Sequence, residues 1–134
     1  MYIIYNFLVL CVCCLFVLPY FLYRCICEAG FTTRMRQSLG GLRDEEIASV
    51  AQKDCIWIHG ASVGEIVATS PLVKEIRKAY PDSPILVSAV TVGGYNMAKQ
   101  IIQEADAIIY FPLDMPFVSE AFDKRIQPRI FMSV

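Results

Sequence analysis

The first 23 residues, MYIIYNFLVLCVCCLFVLPYFLY, contain no charged side chain, and Asn6 is the most polar among them. The whole chain holds one histidine, His59, and one tryptophan, Trp57. Lys and Arg number 12 against 13 Asp and Glu, a formal net charge of −1. That balance leaves no clustered basic excess to neutralise a phosphate backbone, so nucleic acid is not expected as a partner. Of six cysteines, five lie at or before Cys27. Cys11, Cys13 and Cys14 belong to the apolar run, where a thiol acts as a small hydrophobe. Cys25 and Cys27 flank a single residue, and no second cysteine pair or histidine follows at metal-ligand spacing. No metal site is therefore expected.

What the chain has in excess is apolar surface. Its hydrophobic fraction is 56%, against about half in soluble domains, and the surplus sits in residues 1–24. About 20 apolar residues at ~1.5 Å rise span a bilayer core. A secretory signal peptide would need a basic segment before the apolar run and a small-residue cleavage motif after it, and neither is present. The expectation is a retained transmembrane anchor over residues 1–24. Arg24, Arg34, Arg36 and Arg43 all follow it, which places the rest of the chain in the cytoplasm by the positive-inside rule. Tyr2, Tyr5, Tyr20 and Tyr23 sit near its ends, as interfacial aromatics do.

Residues 25–54 are polar, carry Gly40, Gly41 and the run Asp44-Glu45-Glu46, and read as a membrane-proximal linker with one or two helical turns. From residue 55 the pattern changes. CIWIH and ILVSAV read as buried strands, AIIYF as a third strand and PRIFMSV as the opening of a fourth. Helical segments lie between them, including IVATSPLVKEIRKAY, TVGGYNMAKQIIQEA and FVSEAFDKRIQ. In the first of these, Ser70-Pro71 resembles an N-cap and first helical position, so the helix starts near Gly64 and kinks at Pro71, or starts at Pro71. Alternating strands and helices specify an α/β, Rossmann-like parallel sheet over residues 55–134. In such sheets ligands meet the carboxyl ends of the strands. The stretches HGASVGE (59–65), TVGG (91–94) and PLDMP (112–116) all begin where a strand ends.

HGASVGE is neither a P-loop nor a G-x-G-x-x-G turn, because it lacks the required Lys and glycine spacing. Gly60 and Gly64 permit a tight turn. Glu65 falls in the first turn of the next helix, where it would repel a phosphate. There it either complements the helix dipole or serves as a general base at the mouth of a cleft. A helix N-terminus keeps such a carboxylate ionised but lowers its basicity, which partial burial would have to offset. His59 reads as a hydrogen-bonded core residue. Gly60, Ser62 and Gly64 match G-x-S-x-G by letter, but the only histidine precedes the serine by three residues, which does not fit hydrolase triad order. Thr91, Gly93 and Gly94 offer a hydroxyl and backbone N–H groups to a sugar or phosphate, or form an ordinary turn.

The stretches WIHGASVGEIVATSPLVKEIRKAYPDSPILVSAVTVGGYNMAKQ and IIYFPLDMPFVSEAFDKRIQPRIFM, preceded by RMRQSLG, closely resemble bacterial 3-deoxy-D-manno-octulosonic acid (Kdo) transferases. The resemblance runs from the apolar N-terminus to the last residue, and the SVGE turn followed by Pro71, together with FPLD, is its most specific part. It implies the N-terminal half of a GT-B glycosyltransferase, preceded by one transmembrane helix at the bacterial inner membrane with its catalytic part cytoplasmic. The implied reaction is inverting, metal-free transfer of Kdo from CMP-Kdo to the lipid A precursor lipid IVA. Glu65 takes the place of the family's general base. Ser62, Val63, Gly64, Thr91, Gly93 and Gly94 would line the acceptor side, with Gly93 standing where the family commonly has threonine. In the family the last strand continues into a motif like E-T-E-x-W-P and then a donor domain, whereas this sequence reads FMSV and stops. The expectation is a truncated acceptor-binding domain, inactive alone. The alternative is a non-catalytic, membrane-tethered module that binds the lipid acceptor.

Overall fold

The computed structural model describes residues 2–27 and 30–134. Met1, Glu28 and Ala29, which the sequence reading assigns to the anchor and the linker, lie outside the described residues, as do the side chains of Ile3 and Cys25. The chain divides into two compact units, Met1–Thr33 and Arg34–Val134.

The first unit is built on α1 (Tyr2–Val12), a π-helical turn (Cys13–Val17) and α2 (Leu18–Cys27). The Leu18 N–H reaches back to the Cys13 carbonyl, one residue further than an α-helix would. This wider turn comes directly before Pro19, whose ring lacks an N–H and crowds the carbonyl four residues earlier. Within this unit Ile4–Arg24 is a 21-residue helix long and apolar enough to cross a membrane, by length and composition. The Arg24 guanidinium lies over the rings of Tyr20 and Phe31, 6.0 and 5.4 Å from their centroids.

In the second unit α3 (Phe31–Ser38, from Arg34 onward) and α4 (Asp44–Ile47) precede the sheet. The sheet elements then alternate: β1 (Ile56–His59), α5 (Val63–Ala79), β2 (Ile85–Ala89), α6 (Val92–Ile101), β3 (Ala107–Tyr110), α7 (Pro116–Ile126) and β4 (Ile130–Ser133). The strand order is β3-β2-β1-β4, and every pairing is parallel. This is the α/β, Rossmann-like sheet expected from the sequence. Strands of four or five residues are too short to hold by propensity, so β1, β2 and β3 are stabilised by burial on both faces, whereas β4 at the edge is largely exposed. Ile56, Ile58, Val87 and Ala89 pack with Ile66, Val73 and Ala98 of α5 and α6. Trp57, Leu86 and Ile109 point the other way, onto Ile47 of α4, Val50, and Val118, Phe122 and Ile126 of α7. The alternation within β1 and β2 is the period of two that directs successive side chains to opposite faces.

Helix α5 starts at Val63 with Ser62 as its N-cap and runs through Pro71 without a break. Of the two starts left open by the sequence, the early one is observed, one residue ahead of Gly64. Ser70 is therefore an interior helical residue rather than a cap. At the far end of the sheet, Arg77 of α5 donates to the carbonyls of Pro81, Ser83 and Glu104 and pairs with Asp106. Asp106 in turn accepts the Ile85 N–H at 2.7 Å. This clamp ties the entry ends of β2 and β3 together, opposite the rim where the loops of interest lie.

Residues 34–54, polar enough to read as linker, pack onto the sheet. The Gln37 side chain is buried and its Oε1 accepts the Tyr110 N–H at 2.8 Å. Ser38 Oγ donates to the Phe111 carbonyl at 2.9 Å, and the Ser38 carbonyl accepts the Leu113 N–H at 2.8 Å. Arg36 pairs with Glu46 and donates to the Gly41 carbonyl, which fastens α3 to α4.

Candidate functional site

The chain moves from β1 to β2 and β3 on one side, then crosses to β4 on the other side of β1. A change of direction of this kind opens a crevice at the carboxyl ends of the strands it separates. HGASVGE leaves the carboxyl end of β1, beside that crevice.

The turn places Glu65 by local chemistry. Ser62 is extended, and its Oγ accepts the Glu65 N–H at 3.4 Å. Glu65 Oε2 in return accepts the N–H groups of Ala61 at 2.5 Å and Ser62 at 3.4 Å. This is a capping box, which satisfies the open N–H groups at a helix start from both directions. Glu65 Oε1 takes no hydrogen bond among the described residues. The carboxyl lies below its ordinary value of 4.5, chiefly through the Ala61 N–H, with Ser62 and His59 adding to the effect. Burial opposes this shift without cancelling it. The offset that the sequence reading required of burial is thus incomplete, and Glu65 is an ionised carboxylate of reduced basicity.

The loops after β1 and β2 interlock. The Ala61 carbonyl accepts the N–H groups of Val90 and Thr91, both at 3.3 Å, and the Thr91 hydroxyl at 3.4 Å. Thr91 also N-caps α6, accepting the Gly94 N–H at 3.0 Å. A Cβ on Gly94 would stand 3.0 Å from Thr91 Oγ1 and 3.4 Å from the Ser62 carbonyl carbon. One on Gly93 would meet Val63 Cγ2 at 3.2 Å. Ser62, Val63, Thr91 and Gly93 therefore form one surface with Glu65, whereas Gly94, expected from the sequence on the acceptor side, is buried beneath it, where a side chain would crowd Thr91 and the Ser62 backbone. Gly64 is different, because a Cβ there would meet nothing within 4 Å. No contact among the described residues explains a glycine at that position.

His59 closes β1. Its ring is half-buried and packs at a tilt of 33° against Phe111, with centroids 4.0 Å apart. Nδ1 lies 3.1 Å from Ser88 Oγ, which also accepts the Trp57 Nε1–H at 2.8 Å. Burial lowers the His59 pKa, against the opposing pull of Ser88 and Glu65. Next to it an open cavity of about 190 Å³ is lined by Trp57, Phe111, Pro112, Phe122 and Phe131, among others. Sequence reasoning recognised His59 as hydrogen-bonded but missed Ser88. The available signal was a lone hydroxyl inside the apolar strand ILVSAV, since a buried polar group requires a partner. Among the described residues no group of three or more His, Cys, Asp or Glu side chains is placed to hold a metal ion.

Comparison with known proteins bears on the family of the chain. A family profile described as 3-deoxy-D-manno-octulosonic-acid transferase (kdotransferase) matches residues 33–134. A 3-deoxy-D-manno-octulosonic acid transferase of Haemophilus influenzae is 35% identical over 83 residues, covering 62% of this chain and 19% of that protein. The enzyme of the same name from Chlamydia muridarum is 30% identical over 76 residues, 56% of this chain and 18% of its own. That of Chlamydophila psittaci is 28% identical over 119 residues, 86% of this chain and 26% of its own. The chain thus spans about a fifth to a quarter of the length of these curated relatives. The profile covers most of the chain, including the whole sheet and the SVGE turn, and this chain belongs to the 3-deoxy-D-manno-octulosonic-acid transferase family.

Proposed function

We propose that this chain supplies the acceptor side of a Kdo transferase acting in lipopolysaccharide biosynthesis. Glu65 is the general base for a hydroxyl of the lipid A precursor. The observation that carries the reading is the asymmetry of the Glu65 carboxylate at the crevice. Oε2 is held by the turn, while Oε1 takes no hydrogen bond among the described residues. A base needs one fixed orientation and one available lone pair. The N–H groups that lower its pKa keep it ionised at neutral pH. Oε1 would take the acceptor proton as the oxygen attacks the anomeric carbon of Kdo, and CMP would leave from the opposite face, inverting the centre. This displacement needs no metal. Ser62, Val63 and Gly64, with Thr91 and Gly93, would line the acceptor surface, and the buried Gly94 would support it from beneath. CMP-Kdo would be held by a partner domain across the crevice. Helix Ile4–Arg24 would anchor the unit in the inner membrane, with the sheet on the cytoplasmic side.

The capping box also supports the alternative of a binding module, since it gives Glu65 a structural role that needs no reaction. The two are separated by grafting residues 33–134 into the corresponding segment of the Haemophilus influenzae relative. Turnover and acceptor affinity are then measured with and without Glu65→Gln. The base reading expects kcat to fall ~10²–10⁴-fold with acceptor affinity kept. Turnover that survives the substitution refutes it.

A further inference from the structure

We propose that Trp57, Ser88 and His59 form a one-directional hydrogen-bond relay that fixes His59 as a neutral imidazole with its proton on Nε2, presented at the rim as an uncharged donor to an oxygen of the acceptor. The relay itself is independent of the transferase reading, whereas the acceptor role rests on it.

Indole nitrogen can only donate, so the Trp57 Nε1–H occupies one lone pair of Ser88 Oγ, 2.8 Å away. Ser88 is fully buried, and among the described residues its hydroxyl makes one other hydrogen bond, to His59 Nδ1 at 3.1 Å. The Ser88 proton is therefore directed onto Nδ1, and Nδ1 must accept it. A neutral imidazole that accepts at Nδ1 carries its proton on Nε2. Protonating the ring would place a second hydrogen against the Ser88 hydroxyl and leave a buried O–H without an acceptor, which is unfavourable. Burial of the ring acts in the same direction. Two groups act against it: the Ser88 carbonyl, and Glu65 on α5, the charged group whose field reaches the ring. The other neighbours, Phe111 and Phe131, are uncharged.

The geometry also decides what His59 cannot do. Its one basic lone pair faces Ser88 inside the sheet, so it cannot take a proton from a molecule on the rim. Nε2 makes no hydrogen bond among the described residues. The segment that leaves β1 then carries one base, Glu65, and, six residues before it, one neutral donor at the strand's end. A neutral donor can hold a hydroxyl or phosphate oxygen without adding a cation that would lower the basicity of Glu65 further.

The chain's single histidine makes the test unambiguous. The ¹⁵N-labelled full chain in detergent micelles gives one imidazole pattern. At pH 7 a pyrrole-like Nε2 and a pyridine-like Nδ1 are expected, with Ser88→Ala mixing the tautomers. A pyrrole-like Nδ1, shared with the Ser88 carbonyl, or an imidazolium signature at that pH overturns the relay. The donor role is read in the grafted enzyme. His59→Phe, which can still pack against Phe111, should lower kcat/KM about tenfold, the worth of one hydrogen bond. His59→Gln, with a carbonyl for Ser88 and an N–H for the rim, should recover most of that loss. Unchanged kcat/KM in His59→Phe overturns the donor role. A graft without turnover even with His59 and Glu65 intact refutes the transferase reading, and the spectra still decide the relay.

Discussion

Replacing Glu46 with Gln tests the bond that fastens the segment before the sheet. Burial by itself would raise the Glu46 carboxyl. Hydrogen bonds from Arg36, the Arg43 N–H and Gln37 outweigh it and bring the group from 4.5 down to about 2. The Arg36 guanidinium is raised by the same contact. The gap for Glu46 corresponds to at most about 3 kcal/mol favouring the charged form in the folded state. Arg36 and Glu46 keep 30% and 21% of their side-chain surface in water, and screening reduces the contribution to about 1–2 kcal/mol. Because the folded value is depressed, this stability is complete above about pH 4.5 and disappears as pH falls toward 2. Glu46→Gln should lose about 1–2 kcal/mol at pH 7, and its stability curve should be flatter than that of the unsubstituted chain between those limits. Urea unfolding in mild detergent, followed by fluorescence of the chain's only tryptophan, buried Trp57, measures both. Equal stability at pH 7, or parallel curves from pH 4.5 to 2, would refute the reasoning.

Gly64→Ala should leave the melting temperature unchanged or slightly raised, because the added methyl meets nothing within 4 Å and alanine is the better helix former. If Gly64 admits the acceptor, the same substitution raises KM in the grafted enzyme. Gly94→Ala should lower the melting temperature, since its methyl would stand 3.0 Å from Thr91 Oγ1 and 3.4 Å from the Ser62 backbone. If Glu65 is the base, its depressed pKa puts the acid limb of the kcat/KM profile below the ordinary carboxylate value, and a Glu65-dependent limb above that value would contradict the assignment. Burial pushes the Cys55 thiol up to about 11, so Cys55 should resist alkylation at pH 7.5 in the folded chain and react on unfolding. Mass spectrometry of labelled peptides checks this directly.

The sheet was legible because its signals are local. Apolar runs at CIWIH, ILVSAV and AIIYF alternate with helix-length segments, and each is found close to where the run predicts it. Glu65 on the rim follows from the same pattern, and its reciprocal bonds with Ser62 and Ala61 add the detail of how the carboxylate is held. Residues 34–54 were harder to place because their contacts are distant. Gln37 and Ser38 are polar letters that become interior residues only when the end of β3 supplies an N–H and a carbonyl. Pro71 leaves two starts open because proline favours the first helical turn, and burial of Ile66 and Val73 on one face carries α5 through it from the earlier one. The Ser88 relay depends on a pairing between β1 and β2 that no single segment specifies.

The reach of α3 to the end of β3 has a consequence for how the chain is made. Gln37 meets its partner Tyr110 across 73 positions, so at ~5–20 residues per second of synthesis it waits about 4–15 s for that partner to be polymerised. Through that interval the segment has an amphipathic surface and no sheet to cover it. Helix α5 needs no such wait, because its cap lies three residues from the carboxylate it serves. The Glu65 turn can therefore take shape early in translation, whereas the packing of α3 against the third strand is a late event, and a variant that slows it would appear first as loss of yield rather than of turnover.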